Sequence, residues 1–276
     1  MGKIIFYVVV AVMTVGTCLA NDRPLKISVF SSLVDRVARE RKVSLEQAAD
    51  LLRDAGVSGF DSDYRNARLP QLAQSSLRPI NFYGFLHFLG PDNGAKEIED
   101  FIGTAVKYGV PRVMVVPDSF TKDGDREAEY LRIREGVAKL VARGAEKGVT
   151  VTIEDFGGVQ NPCSCAGYLR RFLEDVPGLC FALDSGNLYF AGRGDDIRDM
   201  MRFAENRIRH VHLKDQTVED SRKYASLGLG AVPNAEIVRF VHAKGYDGWY
   251  TLENPVGPDV LADVHRQVAV LRYWCR

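Results

Sequence analysis

Residues 138–156 read "AKLVARGAEKGVTVTIEDF", and the order of events within them decides the fold. An amphipathic stretch closes on Gly148, a β-branched run "VTVTI" follows at once, and that run finishes on the carboxylates Glu154 and Asp155. A glycine directly after the last helical residue is a helix stop, and a short run rich in valine, threonine and isoleucine is a strand. Helix followed immediately by strand is half of a βαβ unit, the connection that parallel strands require.

The same cycle recurs along the chain. Strand candidates are "LKISVF" (25–30), "VSGFDSD" (57–63), "RPINFYGFLHF" (78–88), "PRVMVVP" (111–117), "VTVTIEDF" (149–156), "LCFALDSG" (179–186), "IRHVHLKD" (208–215) and "GWYTLENP" (248–255). Most are apolar runs of the kind found in strands covered on both faces, hence parallel. Between them lie helical patterns. "SLEQAADLLRDAG" (44–56) opens with Ser44 and Gln47 spaced as a capping box and stops at Gly56. "AKEIEDFIGTAVKYG" (95–109), residues 127–148 and "AEIVRFVHAKG" (235–245) each end at glycine before a strand. Eight βα units without a compositional break predict one (β/α)8 TIM barrel over residues 21–276. An open doubly wound sheet is the alternative, but no glycine-rich turn follows the first strand, as a dinucleotide-binding version requires.

The first 20 residues are set apart. Lys3, the apolar run "IIFYVVVAVM" (4–13), and small residues up to Ala20 form the layout of a secretory signal peptide, so the mature chain is expected in the periplasm or outside the cell. The run is short for an integral membrane span; an uncleaved anchor, or a lipid anchor on Cys18, are the alternatives to cleavage. Charge balances at 36 basic and 36 acidic residues, which gives no bulk field for nucleic acid. A small-molecule partner fits that balance, and no feature specifies an oligomeric state. Cys163, Cys165, Cys180 and Cys275 remain after cleavage. Their spacing is not that of a zinc site and none reads as a nucleophile; export would allow a structural bridge from Cys163 or Cys165 to Cys180.

In a TIM barrel the chemistry sits at the carboxyl ends of the strands. The last four strand candidates end in Glu154, Asp184, His212 and Glu253, separated by 30, 28 and 41 residues, about one βα unit each. Four adjacent strands would bring these side chains to one place near the axis. Three carboxylates converging there would repel one another unless a divalent cation joined them. Oxygen ligands with one imidazole and no thiolate suit Mn2+ first, with Mg2+, Co2+ or Zn2+ as alternatives.

In these segments, "VTIEDF", "ALDSGN", "HVHLKD" with "GLGAV" downstream, and "GYDGWYTLENP", the chain resembles the xylose-isomerase-like barrel family of sugar phosphate isomerases and epimerases. The resemblance covers most of the mature chain and is strongest over 149–255. It implies Glu154, Asp184, His212 and Glu253 as metal ligands, with Glu154 and Glu253 also acting as acid and base on opposite faces of a bound sugar. Two departures weaken any transfer of the substrate: Asn187 stands where ketose 3-epimerases of the family carry a histidine, and "FGGVQ" (156–160) stands where they carry a further glutamate.

The expected activity is therefore metal-dependent sugar isomerisation or epimerisation, by loss of a proton next to a carbonyl through an enediolate. Export and the absence of a glycine-rich phosphate cradle favour a non-phosphorylated sugar or keto-sugar. A 3-keto-glycoside lyase or hydrolase using the same metal site, and a secreted sugar-binding protein without turnover, are the alternatives. A metal-dependent phosphodiesterase acting on DNA would need more ligands and a basic face. Lys214 shares the strand face of His212 and is expected to hold a substrate oxygen, or else to pair with Asp215, which starts the following loop. His87 is the other expected substrate contact. His210, on the same face but deeper in the strand, reads as a core or supporting histidine. Asp61 and Asp63 end the second strand and read as sugar ligands or helix caps; Tyr83, Phe156 and Trp249 are candidate stacking surfaces.

Overall fold

The computed structural model describes residues 24–276, so the expected signal peptide and Cys18 lie outside the described residues. Eight parallel strands close into a barrel: β1 (Lys26–Phe30), β2 (Gly59–Asp63), β3 (Arg78–Leu86), β4 (Arg112–Pro117), β5 (Thr150–Glu154), β6 (Cys180–Asp184), β7 (Ile208–Leu213) and β10 (Trp249–Leu252). Each falls within one of the eight strand candidates. A small antiparallel pair, β8 (Asp215–Gln216) and β9 (Tyr224–Ala225), sits in the loop after β7. Among the described residues no helix is long and apolar enough to cross a membrane.

The strands alternate in a way their apolar look conceals. Residues facing the helices, such as Ile27, Phe60, Phe82, Val113, Ile153 and Val211, are apolar and fully buried. Residues facing the axis include Ser28, Asp61, Asn81, Thr152, His210 and Thr251, also fully buried. Barrel interiors are commonly filled by branched aliphatic layers. Here a polar column, hydrogen-bonded within itself, fills the axis beneath the strand ends.

The helices hold the frame. Leu45–Asp54 carries the expected capping box, with Ser44 accepting from the Gln47 amide and Gln47 accepting from that of Ser44. In the long helix Arg126–Glu146, Gly136 packs on Phe88, whose ring a Cβ at that position would meet at 2.2 Å. After β7, the Asp215 carboxylate accepts from the amides of Gly228, Gly230 and Val232, which folds "GLGAV" back over the strand end. A Cβ on Gly230 would lie 2.2 Å from the Gln216 carbonyl, so the close approach needs glycine there. Asp215 thus starts the loop, as expected, and does not pair with Lys214.

The anticipated disulfide is not formed; all four described cysteines are free. Cys180 opens β6, whereas Cys163 and Cys165 follow the far end of β5, in and just after the short turn Pro162–Ser164. Roughly the length of a strand, about 16 Å, separates these ends, well beyond the reach of a bridge.

Candidate metal centre

The carboxyl ends of β5, β6, β7 and β10 are consecutive around the barrel, and they bring Glu154, Asp184, His212 and Glu253 together. One ligand atom from each lies within 4.8 Å of every other. Nδ1 of His212 is 2.6 Å from Glu154 Oε1, 3.8 Å from Glu253 Oε2 and 3.9 Å from Asp184 Oδ2. Register supports the arrangement: Asp184 pairs with His212 across β6 and β7, and Thr251 pairs with His212 across β10 and β7.

The charge of this group is unbalanced. Burial raises Glu154 above the usual carboxylate range, and the negative charge of Asp184 adds to it. Burial, with Asp184 and Glu154 nearby, pushes Glu253 up to about 8. Burial alone would lower His212, but the charge of Glu154 and hydrogen bonds to Asp61 and Glu154 outweigh it and hold the imidazolium well above its ordinary range. Two oxygens in the cluster are buried without a hydrogen bond, Glu253 Oε2 and Asp184 Oδ2, the latter beside the Lys214 ammonium at 3.0 Å but outside hydrogen-bond geometry. Buried carboxylate oxygens are rarely left so. Three carboxylate oxygens and one imidazole nitrogen, two of the oxygens orphaned, are the donor set a hard or borderline divalent cation takes.

The other face of His212 completes the case. Nε2 lies 3.3 Å from Asp61 Oδ2, leaving Nδ1 toward the carboxylates. A ligand histidine whose second nitrogen is held by a carboxylate is the usual support for a metal site. Asp61 also accepts from His210 Nε2 at 2.7 Å, Asn81 Nδ2 at 2.8 Å and Thr251 Oγ1 at 3.1 Å. Burial works against its charge, but the two histidines outweigh burial and hold it below the usual range. Asp61, His210 and His212 form a second potential ligand group. With its donors in place, Asp61 there serves as a hydrogen-bond hub. The sequence marked Asp61 as a strand-end carboxylate yet held no sign that it turns inward to both histidines. His210 is a buried core histidine, one of the two readings expected of it, with its pKa pushed down to about 4 by burial.

Lys214 is drawn into the cluster. Its ammonium donates to Glu253 Oε1 at 2.6 Å and Asn187 Oδ1 at 3.1 Å, and lies 3.0 Å from Asp184 Oδ2. Burial would lower its pKa, but the charges of Asp184 and Glu253 raise it instead. Asn187 also ties the site to β5 by donating to the Asp155 carbonyl at 2.7 Å. Asp155, which sequence reasoning passed over, accepts from the Asp184 amide at 2.8 Å and fixes the end of β6.

Other expected site residues are not brought here. His87 turns outward with its side chain 65% exposed and pairs with Glu97 at 3.0 Å, because β3 ends at Leu86 and the chain bends toward the next helix. Asp63 caps its own turn by accepting from the Arg65 amide at 2.7 Å. Trp249 begins β10, at the opposite end of the barrel, where it covers Gly59. Tyr83 and Phe156 do line the cavity above the cluster, a space of about 300 Å3. Phe30, Phe85, Met114 and Val116 extend their apolar wall, which faces Glu154, Asn187, Lys214, Glu253 and Asn254. Lys214 is the cavity's one cationic lining residue among the described residues, and carboxylates already hold it.

A family model described as a xylose isomerase-like TIM barrel matches residues 44–273. The inosose dehydratase of Geobacillus thermodenitrificans is 27% identical over 152 residues, covering 49% of this chain and 50% of that protein. The inosose dehydratase of Yersinia enterocolitica is 25% identical over 166 residues, covering 53% and 55%. The chain thus spans about half the length of the curated relatives it matches. Among solved structures, the probable 3-DHS dehydratase AsbF of Bacillus anthracis gives a TM-score of 0.71 at 15% identity, covering 90% of this chain and 99% of that one. The 3-keto-D-glucoside 4-epimerase YcjR of E. coli gives 0.66 at 15%, covering 91% and 99%. At such identities the structural likeness shows a shared fold.

Proposed function

Because the chain belongs to the xylose isomerase-like TIM barrel family, we propose that it is a divalent-metal-dependent enzyme that removes the proton next to the carbonyl of a non-phosphorylated keto-sugar or keto-polyol, and returns it to give an epimer or isomer. The observation that carries this reading is the convergence of Glu154, Asp184, His212 and Glu253, with Asp184 Oδ2 and Glu253 Oε2 lacking hydrogen bonds. The cavity supports the substrate class: it has an apolar aromatic wall and, among the described residues, no free cation to meet a phosphate.

Mn2+ is the proposed ion, held by the four residues; such a cation would polarise the substrate carbonyl and offset the charge that grows on its oxygen as the proton leaves. Glu154 and Glu253 stand at the two ends of the ligand arc, with β6 and β7 between them. One takes the proton and the other delivers one. Delivery to the same carbon from the opposite side inverts it, and delivery to the adjacent carbon moves the carbonyl. Lys214 holds Glu253 in place, donating to its Oε1 at 2.6 Å.

A second reading is elimination, favoured by the position of Lys214. An ammonium 2.6 Å from one of the two candidate bases is placed to protonate a departing group. Glutamate would take the proton next to the carbonyl, the C–O bond at the β position would break, and the oxygen would leave as water or an alcohol with a proton from Lys214. The inosose dehydratase relatives support this branch, with an inosose or a 3-keto-glycoside as substrate.

The test is incubation of Mn2+-loaded protein in D2O with an inosose, a ketohexose and a 3-keto-glucoside, followed by NMR. Deuterium next to the carbonyl is expected, with a stereoisomer marking the first reading and an unsaturated product or released alcohol the second. Glu253→Gln at saturating metal should abolish the exchange. Tight sugar binding with no deuterium incorporation would sink both readings and leave a binding protein.

A further inference from the structure

Arg112 opens β4 at the amino-terminal mouth of the barrel, the end away from the ligand cluster. Its guanidinium donates to Nδ1 of His210 at 3.2 Å and its Nε is buried without a partner, so His210 is its side-chain hydrogen-bond partner among the described residues. Arginine has donors only. Nδ1 of His210 must therefore accept, which places the ring hydrogen on Nε2. That nitrogen lies 2.7 Å from Asp61 Oδ2, and the same oxygen faces Nε2 of His212 at 3.3 Å. His212 then donates its own Nε2 hydrogen to that oxygen, so the proton it gives up to a cation is the one on Nδ1, on the side of Glu154, Asp184 and Glu253.

We infer that Arg112 is a positioning residue for the metal centre, acting through His210 and Asp61 to hold His212 in the tautomer that leaves Nδ1 free for a cation. The inference rests on the metal reading proposed above. A guanidinium that only donates at one ring nitrogen and a carboxylate that only accepts at the other permit one direction of donation through His210, and the Thr251 hydroxyl, 3.1 Å from Nε2, can adapt to it. Without the guanidinium, His210 loses the partner of a buried acceptor and its ring is free to carry hydrogen on Nδ1 instead. Its bare Nε2 would then face Asp61, lone pair against carboxylate, and Asp61 would turn toward Asn81 and Thr251, which already donate to it. Released from Asp61, His212 would, once neutral, keep its hydrogen on Nδ1, bonded to Glu154 Oε1 at 2.6 Å, and close the metal position.

The experiment uses the full chain with Mn2+ or Co2+ alone as probe, in calorimetric titration, and 15N NMR of the histidine rings in metal-free protein. Arg112→Met should weaken metal binding about tenfold, the lower end of what supporting residues cost. Arg112→Lys keeps a donor and should restore binding to within about threefold of wild type. Asp61→Asn should weaken binding by roughly 10- to 100-fold, with little further loss when Arg112→Met is added, because both act through one chain of contacts. In the 15N spectra, Nε2 of His210 should carry hydrogen in wild type and lose that preference in Arg112→Met. Wild-type protein that binds neither ion would overturn the metal reading and this inference with it. Wild type that binds metal while Arg112→Met binds within twofold and keeps the His210 tautomer would overturn the inference alone.

Discussion

His212 meets a carboxylate on each side, Asp61 at Nε2 and Glu154 at Nδ1, while its neighbour on the same strand face, His210, meets Asp61 and Arg112. Strand parity separates these histidines by depth, which is enough to nominate His212 as the ligand. It does not say what the second nitrogen of either ring touches. His87 shows the opposite limit: its place at the end of an apolar run suggested a site residue, but one backbone bend sends it to Glu97. At this scale metal binding should depend steeply on pH. Glu253, raised to about 8, and His212, raised well above its ordinary value, must lose protons to bind a cation. Mn2+ affinity should therefore rise by roughly tenfold or more between pH 6.5 and 8, with proton release seen as buffer-dependent heats in calorimetry. On the elimination reading, Lys214→Met should cut turnover by about 100-fold or more while metal affinity does not fall, since the ammonium would supply the leaving group's proton but no ligand lone pair. Parallel kinetics and metal titration on the variant check this.

At the scale of elements, the helix stops, the Ser44 capping box and the eight strands were legible because each is written within a dozen residues. What a glycine inside a helix is for was not legible. Gly103, in the helix Ala95–Lys107, has nothing within 4 Å of an added Cβ, whereas Gly136 has the buried ring of Phe88 at 2.2 Å. Both gain about 1 kcal/mol of helix propensity on substitution by alanine. Gly103→Ala should keep that gain and raise stability by up to ~1 kcal/mol. Gly136→Ala should lose it to overpacking and destabilise by about 1–3 kcal/mol net. Urea unfolding of the two variants, compared with wild type, measures both; equal shifts of the same sign would refute the packing argument.

For the whole molecule, protons and metal compete for the same cluster. Glu253 and His212 hold protons more tightly when folded than their ordinary values of 4.5 and 6.5 imply. The stability they lend is present below those values and is lost as pH rises through the folded ones. His210, lowered to about 4 from 6.5, works the other way but only below 6.5. Metal-free protein should accordingly lose thermal stability from about pH 6.5 to 8. Saturating Mn2+, at about 100 times its dissociation constant, should add roughly 2.7 kcal/mol, which corresponds to about 5–10 °C in a chain of this size. At one fixed Mn2+ concentration the gain should be larger at pH 8, where the dissociation constant is smaller, than at pH 6.5. Thermal scans with and without Mn2+ at both pH values read this directly; a gain that shrinks toward pH 8 would contradict the assignment of these residues as ligands.

Read alone, the amino-acid sequence determined the barrel and the four residues at its last strand ends. Both follow from local periods: helix, glycine, strand, then a polar residue where the strand stops. The tertiary structure decided the partners. Asp61 and His210 are 149 residues apart, Arg112 and His210 are 98 apart, and each pair meets only because eight staggered strands close around one axis. The pairing of Lys214 with Glu253, the outward turn of His87 and the separation of Cys163 from Cys180 depend on the same closure and on which end of the barrel each residue occupies. Hydrogen-bond direction across that axis is a property of the closed barrel, and no single βα unit contains it.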